Sequence, residues 1–459
     1  MRSTLFIVVV LSVFFIHVGP ATGLLLAEEE GKVLNLSLKE VQDYAVKHNT
    51  MTQNARIDVS MAKKKIWETT TTGLPQITGE ISYQDNLKIP TTLIPAKFLD
   101  PNAGEGEFIG MKFGTQHNAS LNVTLNQLVF SGSYIVALQA SKTYLRLSQE
   151  GLIKTEIEVK DTVSNTYYLI LLAENTKKTL AANLESVKKT LFDTQELFKS
   201  GFLEDSDADQ LQLTVTDMEN AVKSMERQII ITYNLLKFQM GVDLHQEVRL
   251  SQTLDEILAQ IDQQQLLNSQ SDSITHIDYR LADTQVKAQT LLLKREISEY
   301  LPTITAFASY TQMAMRDKFN FFKNTDDSWY PSTTIGLKIA IPIFSSGMRS
   351  ARVAQAKMDL QKSQNTRKQV LDGLQLELLQ AKTGFADTFE TSENTRKNVQ
   401  LAKKIYDKMR EKYTLGTVSS LDLTQAHAQY LTAENKYTSA VVELFKAKTR
   451  LDKALNRLW

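Results

Sequence analysis

The sequence predicts a mainly α-helical protein with a smaller β-strand portion, built from a structural unit that occurs twice. Three observations predict this fold class: two very long segments contain no proline, two shorter segments alternate apolar and polar residues, and several residue patterns recur in the same order. The chain has 459 residues, 42% of them hydrophobic, which is enough to bury a sizeable core. With only 18 Gly and 8 Pro, long uninterrupted helices are favoured over a loop-rich fold.

The composition limits the possible functions and cellular locations. Lys plus Arg and Asp plus Glu both number 52, so no overall positive charge favours nucleic-acid binding. The absence of Cys excludes disulfides, thiol catalysis, thiolate metal sites and a lipidated N-terminal cysteine. Residues 1–27 are predicted to be a secretory signal peptide, because Arg2 precedes the apolar run 5–15 and small residues follow. An exported chain without disulfides fits the bacterial envelope.

The first unit, residues 28–241, begins with a predicted helix over residues 36–70, in which apolar side chains recur at helical spacing. Ser37 is suited to cap the start of this helix, with Glu40 three residues later. A run of Thr, a Gly and a Pro then end the helical pattern.

A predicted strand follows and is repeated later in the chain. Residues 74–83 and 301–310 share the pattern L-P-x-I-T-x-x-x-S-Y, whose residue types favour strand. The second copy also follows a predicted helix, at residues 275–299. The duplication therefore includes a helix followed by a strand.

Each of these strands precedes a loop and a second strand with strong alternation. Residues 120–130 and 334–343 place apolar side chains at nearly every second position. Runs of about 10 residues with one apolar face are typical of transmembrane β-barrel strands, and a soluble antiparallel sheet is the alternative. Four strands cannot close a barrel, since the smallest have about eight, so a membrane-spanning sheet requires an oligomer.

Two helices of exceptional length are predicted after the second strands. In both halves, 69 residues separate the first glycine of the helical segment from the glycine at its far end, and at about 1.5 Å per residue each helix is roughly 100 Å long. A strict heptad spacing runs along each helix and predicts coiled-coil packing against a return helix, at residues 205–240 and 419–458. The predicted seam comprises Val159, Val163, Thr166, Ile170, Ala173, Lys177, Leu180, Leu184, Val187, Leu191, Thr194 and Phe198, then Leu371, Leu374, Leu378, Ala381, Phe385, Thr388, Ser392, Thr395, Val399, Ala402, Tyr406, Met409 and Tyr413.

A short pattern ends each long helix: an aromatic residue, a Gly three residues later and an Asp six residues beyond it. Glycine permits a turn that a residue with a Cβ resists, so both sites are predicted to be helix-to-helix turns. The helix dipole favours a carboxylate in the first turn of the helix that follows. Between the units, residues 242–272 are predicted to be a linker, and residues 273–459 form the second unit. The pattern occurs at Phe198, Gly201 and Asp207 and again at Tyr413, Gly416 and Asp422.

Several linked motifs carry a family resemblance. The first helix contains A-x-x-x-N (Ala45, Asn49), the first strands contain L-P-x-I-T, the second strands are followed by F-S-x-G or F-S-S-G, and the turns share the aromatic, glycine and aspartate spacing. The chain thereby resembles the TolC-like outer membrane efflux protein family, the outer membrane factors of tripartite efflux or type I secretion systems. The resemblance implies a homotrimer in the bacterial outer membrane, with a 12-stranded β-barrel in the lipid and a 12-helix α-barrel in the periplasm.

The resemblance also implies a function: a passive exit duct that docks a periplasmic adaptor and is powered indirectly by an inner membrane transporter. Its entrance is expected to be constricted by the acidic residues Asp207 and Asp422. Val418 and Gln425 stand where a gating Arg and a second Asp are found in the family, which puts a salt-bridge lock in doubt; Tyr413 is expected to bond to Asp207 of the neighbouring hairpin. The expected docking residues are Phe198, Gly201, Phe202, Leu203, Tyr413, Leu415, Gly416 and Val418. Of these, Phe202, Leu203, Leu415 and Val418 are expected to be exposed.

No enzyme signature is found, and no cofactor, metal or nucleic acid is expected. The P-loop, G-x-G-x-x-G, G-x-S-x-G and H-E-x-x-H patterns are all missing. A periplasmic coiled-coil adaptor or scaffold is the alternative function, although such proteins usually carry one hairpin and this chain predicts two. The sequence does not identify the exported substrate. The six His residues are scattered at His17, His48, His117, His245, His276 and His427.

Overall fold

The fold is that of a computed structural model, and the structure describes residues 33–322 and 329–457. The predicted signal peptide lies outside the described residues and remains a prediction. The strands are β1 (Leu34–Leu36), β2 (Gln76–Asp85), β3 (Thr91–Pro95), β4 (Phe108–Lys112), β5 (His117–Phe130), β6 (Val248–Leu250), β7 (Thr303–Arg316) and β8 (Tyr330–Ala340). The α-helices are α1 (Leu38–His48), α2 (Thr50–Thr71), α3 (Gly132–Lys199), α4 (Asp205–Met240), α5 (Leu254–Ala259), α6 (Gln263–Asn268), α7 (Ile277–Ser298), α8 (Met348–Thr414) and α9 (Ser420–Ala454).

The four strands predicted from the duplication form one antiparallel sheet in the order β2-β5-β7-β8. The register places Ile81 opposite Leu121 and Glu80 opposite Asn122, so one face is apolar and the other polar. β8 ends at Ala340 and does not continue to residue 343 as predicted. Pro342 accounts for this end, because proline has no N–H to donate to a strand ladder.

The predicted first helix is divided into α1 and α2 at Asn49, whose backbone is extended (φ −61°, ψ 134°). The Asn49 side chain accepts a hydrogen bond from the Met51 N–H at 2.7 Å and donates one to the Gln239 carbonyl at 2.6 Å. Asn competes for backbone hydrogen bonds in this way, which explains the break that helical periodicity did not predict. Ser37 and Glu40 form the predicted capping box at the start of α1.

The two long helices pair with their return helices as coiled-coil hairpins, α3 with α4 and α8 with α9. α3 has 68 residues and α8 has 67, which corresponds to roughly 100 Å each. Every predicted seam position is buried or half-buried except Phe198, whose side chain is 40% exposed. Among the described residues, no helix combines the length and the apolar character needed to cross a membrane.

The helices form one layer that continues from the sheet to the tips. Near the sheet, α2, α3, α7 and α8 pack side by side in that order. Farther away, the α3/α4 hairpin packs against the α8/α9 hairpin through α9. One lateral edge of the layer is therefore α8, and the other is formed by α2 and α4.

A small group of short elements, here called the collar, packs against the middle of the hairpins. Residues 242–272 contribute β6, α5 and α6 to it, and β6 pairs in parallel with β1. Its core includes the fully buried Val41, Tyr167 and Leu236, together with Phe445 from the second repeat. The first loop, between β2 and β5, contains a separate β3–β4 hairpin that the Pro- and Gly-rich sequence did not predict.

Candidate functional site at the hairpin tips

Both long helices end in the same type of turn. Gly201 has a φ of +76° and Gly416 a φ of +71°, in the left-handed region that glycine adopts most easily. At the first tip, the Gly201 N–H donates to the Phe198 carbonyl at 2.8 Å and the Phe202 N–H to the Leu197 carbonyl at 3.0 Å. This is the Schellman motif, and the second tip repeats it. The equivalent bonds there run from Gly416 to Tyr413 (2.9 Å) and from Thr417 to Lys412 (3.0 Å).

The two predicted acidic residues both cap the return helices. An Asp207 carboxylate oxygen accepts the Glu204 N–H at 3.4 Å, and Asp422 accepts the Ser419 N–H at 3.1 Å. Asp422 also accepts the Ser419 hydroxyl at 2.7 Å. These hydrogen bonds lower the pKa of the exposed Asp422 carboxyl below its usual value of 3.8, so it is an anion at neutral pH.

Apolar exposure at the tips is narrower than the sequence suggested. Phe202 is 78% exposed and Leu415 is 77% exposed, so each turn projects one large apolar side chain into solvent. Leu203 and Val418 were expected to be exposed as well, but both are half-buried against the apolar cluster beneath the turns. Each of these residues directly precedes a helix N-cap residue, a position whose apolar side chain commonly packs against the first turns of the helix that follows.

The apolar cluster beneath the turns, here called the tip core, joins the two hairpins. It contains residues from all four helices, and its aromatic members come from α8 and α9. Tyr413 is only 6% exposed, whereas the equivalent Phe198 is 40% exposed, so the two repeats differ at this position. The buried members of the tip core are Val187, Leu191, Leu211, Val215, Met218, Tyr406, Tyr413, Leu423 and Tyr430.

Three polar contacts link the hairpins beside the tip core. The hydroxyls of Tyr413 and Thr194 share a hydrogen bond at 3.0 Å. The expected bond from Tyr413 to Asp207 is therefore wrong: the Ser420 hydroxyl donates to Asp207 instead. Burial raises the pKa of Tyr413, and the nearby Asp207 charge raises it further, so the phenol stays protonated.

The third contact lies about one helical turn farther from the tips. The Arg410 guanidinium donates to the Ser186 hydroxyl at 2.6 Å. Sequence reasoning missed Ser186, Arg410 and Ser420, because none of them belongs to the duplicated pattern. Thr194 was in the predicted seam, but its partner is known only once the two hairpins are placed side by side.

The described residues contain no cluster of three or more His, Cys, Asp or Glu side chains suited to a metal ion. The tips present two exposed apolar side chains, Phe202 and Leu415, and the exposed Asp422 carboxylate. Polar contacts link the two hairpins beside them. This arrangement is suited to binding another protein and to opening or closing a passage.

Part of the chain matches a known protein family. Residues 280–457, which include most of α7 and all of β7, β8, α8 and α9, match the model of the outer membrane efflux protein family. The match covers 178 of the 459 residues, nearly all of the second repeat. This similarity supports an outer membrane efflux duct with a periplasmic helical extension. No curated protein sequence matches the chain.

Solved structures with the same fold cover nearly the whole chain. CusC, described for transmembrane channel formation, has a TM-score of 0.71 at 15% identity, covering 92% of this chain and 93% of CusC. The CmeC outer membrane channel of Campylobacter jejuni has a TM-score of 0.67 at 18% identity, covering 94% and 90%. The open-state MtrE channel of Neisseria gonorrhoeae has a TM-score of 0.68 at 16% identity, covering 91% and 88%.

These likenesses confirm the predicted fold class over both repeats, including the half that lies outside the family match. The family and its structural neighbours are channels rather than enzymes. A periplasmic scaffold that never enters a membrane, the alternative from the sequence, is not favoured.

Proposed function

We propose that this efflux protein is the passive exit duct of a tripartite efflux or type I secretion system, entered at the hairpin tips. One observation carries the proposal: the two 100 Å-scale hairpins end in matching turns, each with one large exposed apolar residue, Phe202 or Leu415. Simple turns in water do not require such exposure. The turns are therefore the docking surface for a periplasmic adaptor, and an inner membrane transporter supplies the energy through that adaptor.

The duct is a homotrimer. The four-stranded sheet has two open edges, β2 and β8, and four antiparallel strands let β8 of one copy pair antiparallel with β2 of the next. Three copies then give twelve strands, which is enough to close a barrel. The exposed apolar face of the sheet, including Ile77, Ile335 and Leu337, meets the lipid of the outer membrane.

The helical layer has matching apolar edges that support the same assembly. On the α8 edge, Leu376, Leu379 and Leu401 are each more than half exposed in one copy. On the opposite edge, Ile231 of α4 is 61% exposed and Phe238 is 74% exposed. Long stripes of this kind on both edges are unfavourable in water, and contact between neighbouring copies buries both.

Introducing a negative charge at each exposed apolar side chain of the tips tests the docking surface. We expect the double variant Phe202→Glu, Leu415→Glu to abolish export in cells, because burying a carboxylate in an apolar contact is unfavourable. The purified variant is expected to keep the trimer and the single-channel conductance of the unmodified protein in planar bilayers. The measurement is export of a fluorescent cargo by cells that express the cognate adaptor and transporter.

The matched control is Leu87→Glu, because Leu87 is 87% exposed and lies in the loop after β2, at the end of the molecule opposite to the tips. This control should export normally. Normal export by the double variant would show that the tips do not dock an adaptor. Loss of conductance in the double variant would instead indicate a damaged channel.

A further inference from the structure

His427 is a buried imidazole on α9, seven residues after Ser420, and so lies on the side of the helix from which the Ser420 hydroxyl donates to Asp207 of α4. We refer to this contact region between the two hairpins as the joint. His427 lies in the second turn of α9 and is 3% exposed. Its ring centroid is 5.0 Å from that of Tyr406 on α8. Tyr406 in turn stacks on Tyr430 of α9, with a centroid separation of 5.9 Å and an interplanar angle of 7°. The imidazole thus extends the aromatic side of the tip core, where separation of the hairpins would expose it.

The imidazole of His427 lacks a hydrogen bond in this position. Its Nε2 atom is buried and has no hydrogen-bond partner among the residues that the structure describes. A buried polar atom without a partner is unfavourable by about 1–3 kcal/mol. Burial also lowers the pKa of His427 from 6.5 to about 4, so the closed joint holds the neutral form.

The charges around the joint do not compensate a proton on His427. On α8, the Arg410 guanidinium is already positive and binds Ser186 of α3. On α9, Glu434 accepts the Tyr430 hydroxyl at 2.9 Å. On the α3/α4 side, Lys188 and Glu219 are paired with each other at 2.6 Å.

Asp407 of α8 lies 3.8 Å from Arg410 and is exposed enough to remain hydrated, and Asp207 of α4 is bound by the Ser420 hydroxyl. Burial is the cause of the lowered pKa of His427, with no carboxylate of the described residues counteracting it. A second positive charge beside Arg410 is therefore unfavourable while the joint stays closed.

We propose that His427 is an acid-sensitive latch, whose protonation releases the α8/α9 hairpin from the α3/α4 hairpin and thereby loosens the tips. The release breaks the contacts of Arg410, Tyr413 and Ser420 across the joint. As a statement about the duct, the latch rests on the proposed function, in which the tips form the entrance.

The direction and size of the effect follow from proton linkage. When the hairpins separate, His427 is hydrated and its pKa returns toward 6.5, so protons bind the separated state more tightly than the closed state. The closed joint is fully stable above pH 6.5 and loses stability as the pH falls below that value. With pKa values near 4 and 6.5, acidification from about pH 7.5 to about pH 5 shifts each protomer toward separation by roughly 30-fold.

Hydrogen–deuterium exchange on the purified full-length trimer tests the latch directly. After correction for the intrinsic pH dependence of exchange, we expect residues 183–194 of α3 and 402–413 of α8 to lose protection by up to about 30-fold near pH 5 relative to pH 7.5. His427→Phe keeps an aromatic ring of similar size and removes the titration, so its protection should not depend on pH. His427→Gln, a polar side chain that does not titrate, should behave in the same way if the Phe variant folds poorly.

His276→Asn is the matched control. His276 is also buried, and burial lowers its pKa, but it caps α7 far from the tips, and Asn preserves the cap. The control should keep the acid-induced loss of protection at the tips. A wild-type joint with no pH dependence, or a pH dependence that survives in both His427 variants, would overturn the latch.

Single-channel conductance separates this inference from the proposed function. If the joint loosens in acid and the open probability rises with it, the latch acts on the entrance. If the joint loosens while conductance is unchanged, the latch at His427 stands, and the assignment of the tips as the entrance fails.

Discussion

Asp207 and Asp422 occupy equivalent positions in the two repeats, but their surroundings make them different. Both carboxylates cap a return helix, so each has a structural role that does not depend on any channel. Asp207 is half-buried and accepts the Ser420 hydroxyl of the other hairpin. Asp422 is exposed and bonds only within its own turn among the described residues. If the tips surround a passage, Asp422 is the acid whose charge is free to act on ions within it.

This difference gives a prediction for ion flow at the scale of single residues. Asp422→Asn is expected to weaken block by a trivalent cation in planar bilayers by at least about tenfold and to reduce cation preference, because the proposed trimer has three such carboxylates around the passage. Asn retains the oxygen that accepts the Ser419 N–H, so the helix cap is preserved. Since hydrogen bonds lower the pKa of Asp422 below 3.8, block of the unmodified channel should persist as the pH falls to that value.

Asp209→Asn is the matched control, because Asp209 is an exposed acid in the same turn of α4 as Asp207 but lies outside the repeated pattern. Unchanged conductance and unchanged block in Asp422→Asn would exclude an acidic constriction at this position. Asp207→Asn is expected to act chiefly on the contact with Ser420 and only weakly on block.

At the scale of helices, the two coiled-coil hairpins use the same heptad frame with different chemistry. The α3 seam is aliphatic near the tip, whereas the α8 seam contains large aromatics, with Phe385 fully buried and Tyr406 and Tyr413 nearly so. Polar seam residues around Ser392 separate the aromatic positions, and Ser392 is itself buried. A buried polar layer weakens packing and leaves the two halves of the α8/α9 hairpin less tightly coupled.

The aromatic positions give a prediction for stability. Phe385→Ala is expected to lower the free energy of unfolding by about 3–5 kcal/mol, because the side chain is fully buried in the cluster formed with Leu444 and Leu451. The measurement is the urea dependence of the helical circular dichroism signal of the purified protein. Phe192→Ala is the matched control: its side chain is 63% exposed, and a change within about 0.5 kcal/mol is expected. Equal effects of the two substitutions would contradict the seam assignment.

At the scale of the whole molecule, a single chain leaves strand edges and apolar helix surfaces without a partner among the described residues. Its sheet has two open edges among the described strands, and its helical layer has two apolar edges. A sheet edge presents unpaired N–H and C=O groups, which have no water to bind inside a bilayer. Assembly is therefore a condition for the outer membrane location rather than an addition to it.

The exposed apolar edges of the helical layer give a prediction for assembly. Ile231→Glu introduces a charge on the α4 edge, and we expect it to prevent trimer formation while leaving the helical content of the protomer unchanged. The measurement is native mass spectrometry in detergent, together with the heat-dependent shift of the trimer on gels. Phe192→Glu is the control, because Phe192 is equally exposed but belongs to α3, which lies inside the layer rather than at an edge. A stable trimer of Ile231→Glu would contradict the proposed edge-to-edge contact.

Local chemistry and the duplication made much of the fold predictable. Glycine positions determine where a helix reverses, so Gly201 and Gly416 marked the tips, and period-two alternation determines the faces of a strand. The break at Asn49 and the end of β8 before Pro342 depended on single residues whose local effects competed with the surrounding periodicity. The β1–β6 pair was not predictable, because each strand has three residues and their pairing spans more than two hundred residues of chain.

The sequence by itself determined the repeated unit, the long helices and the positions of the turns, because each of these depends on spacing along the chain. Only the tertiary structure decided which side chains meet between the hairpins. Tyr413 bonds to Thr194, Ser420 bonds to Asp207, and the Nε2 atom of His427 is buried with no hydrogen-bond partner among the described residues. The physical reason is that the duplicated pattern specifies each hairpin separately. The contacts between them depend on how two 100 Å-scale helices lie against each other, and a rotation of either one would bring different side chains together.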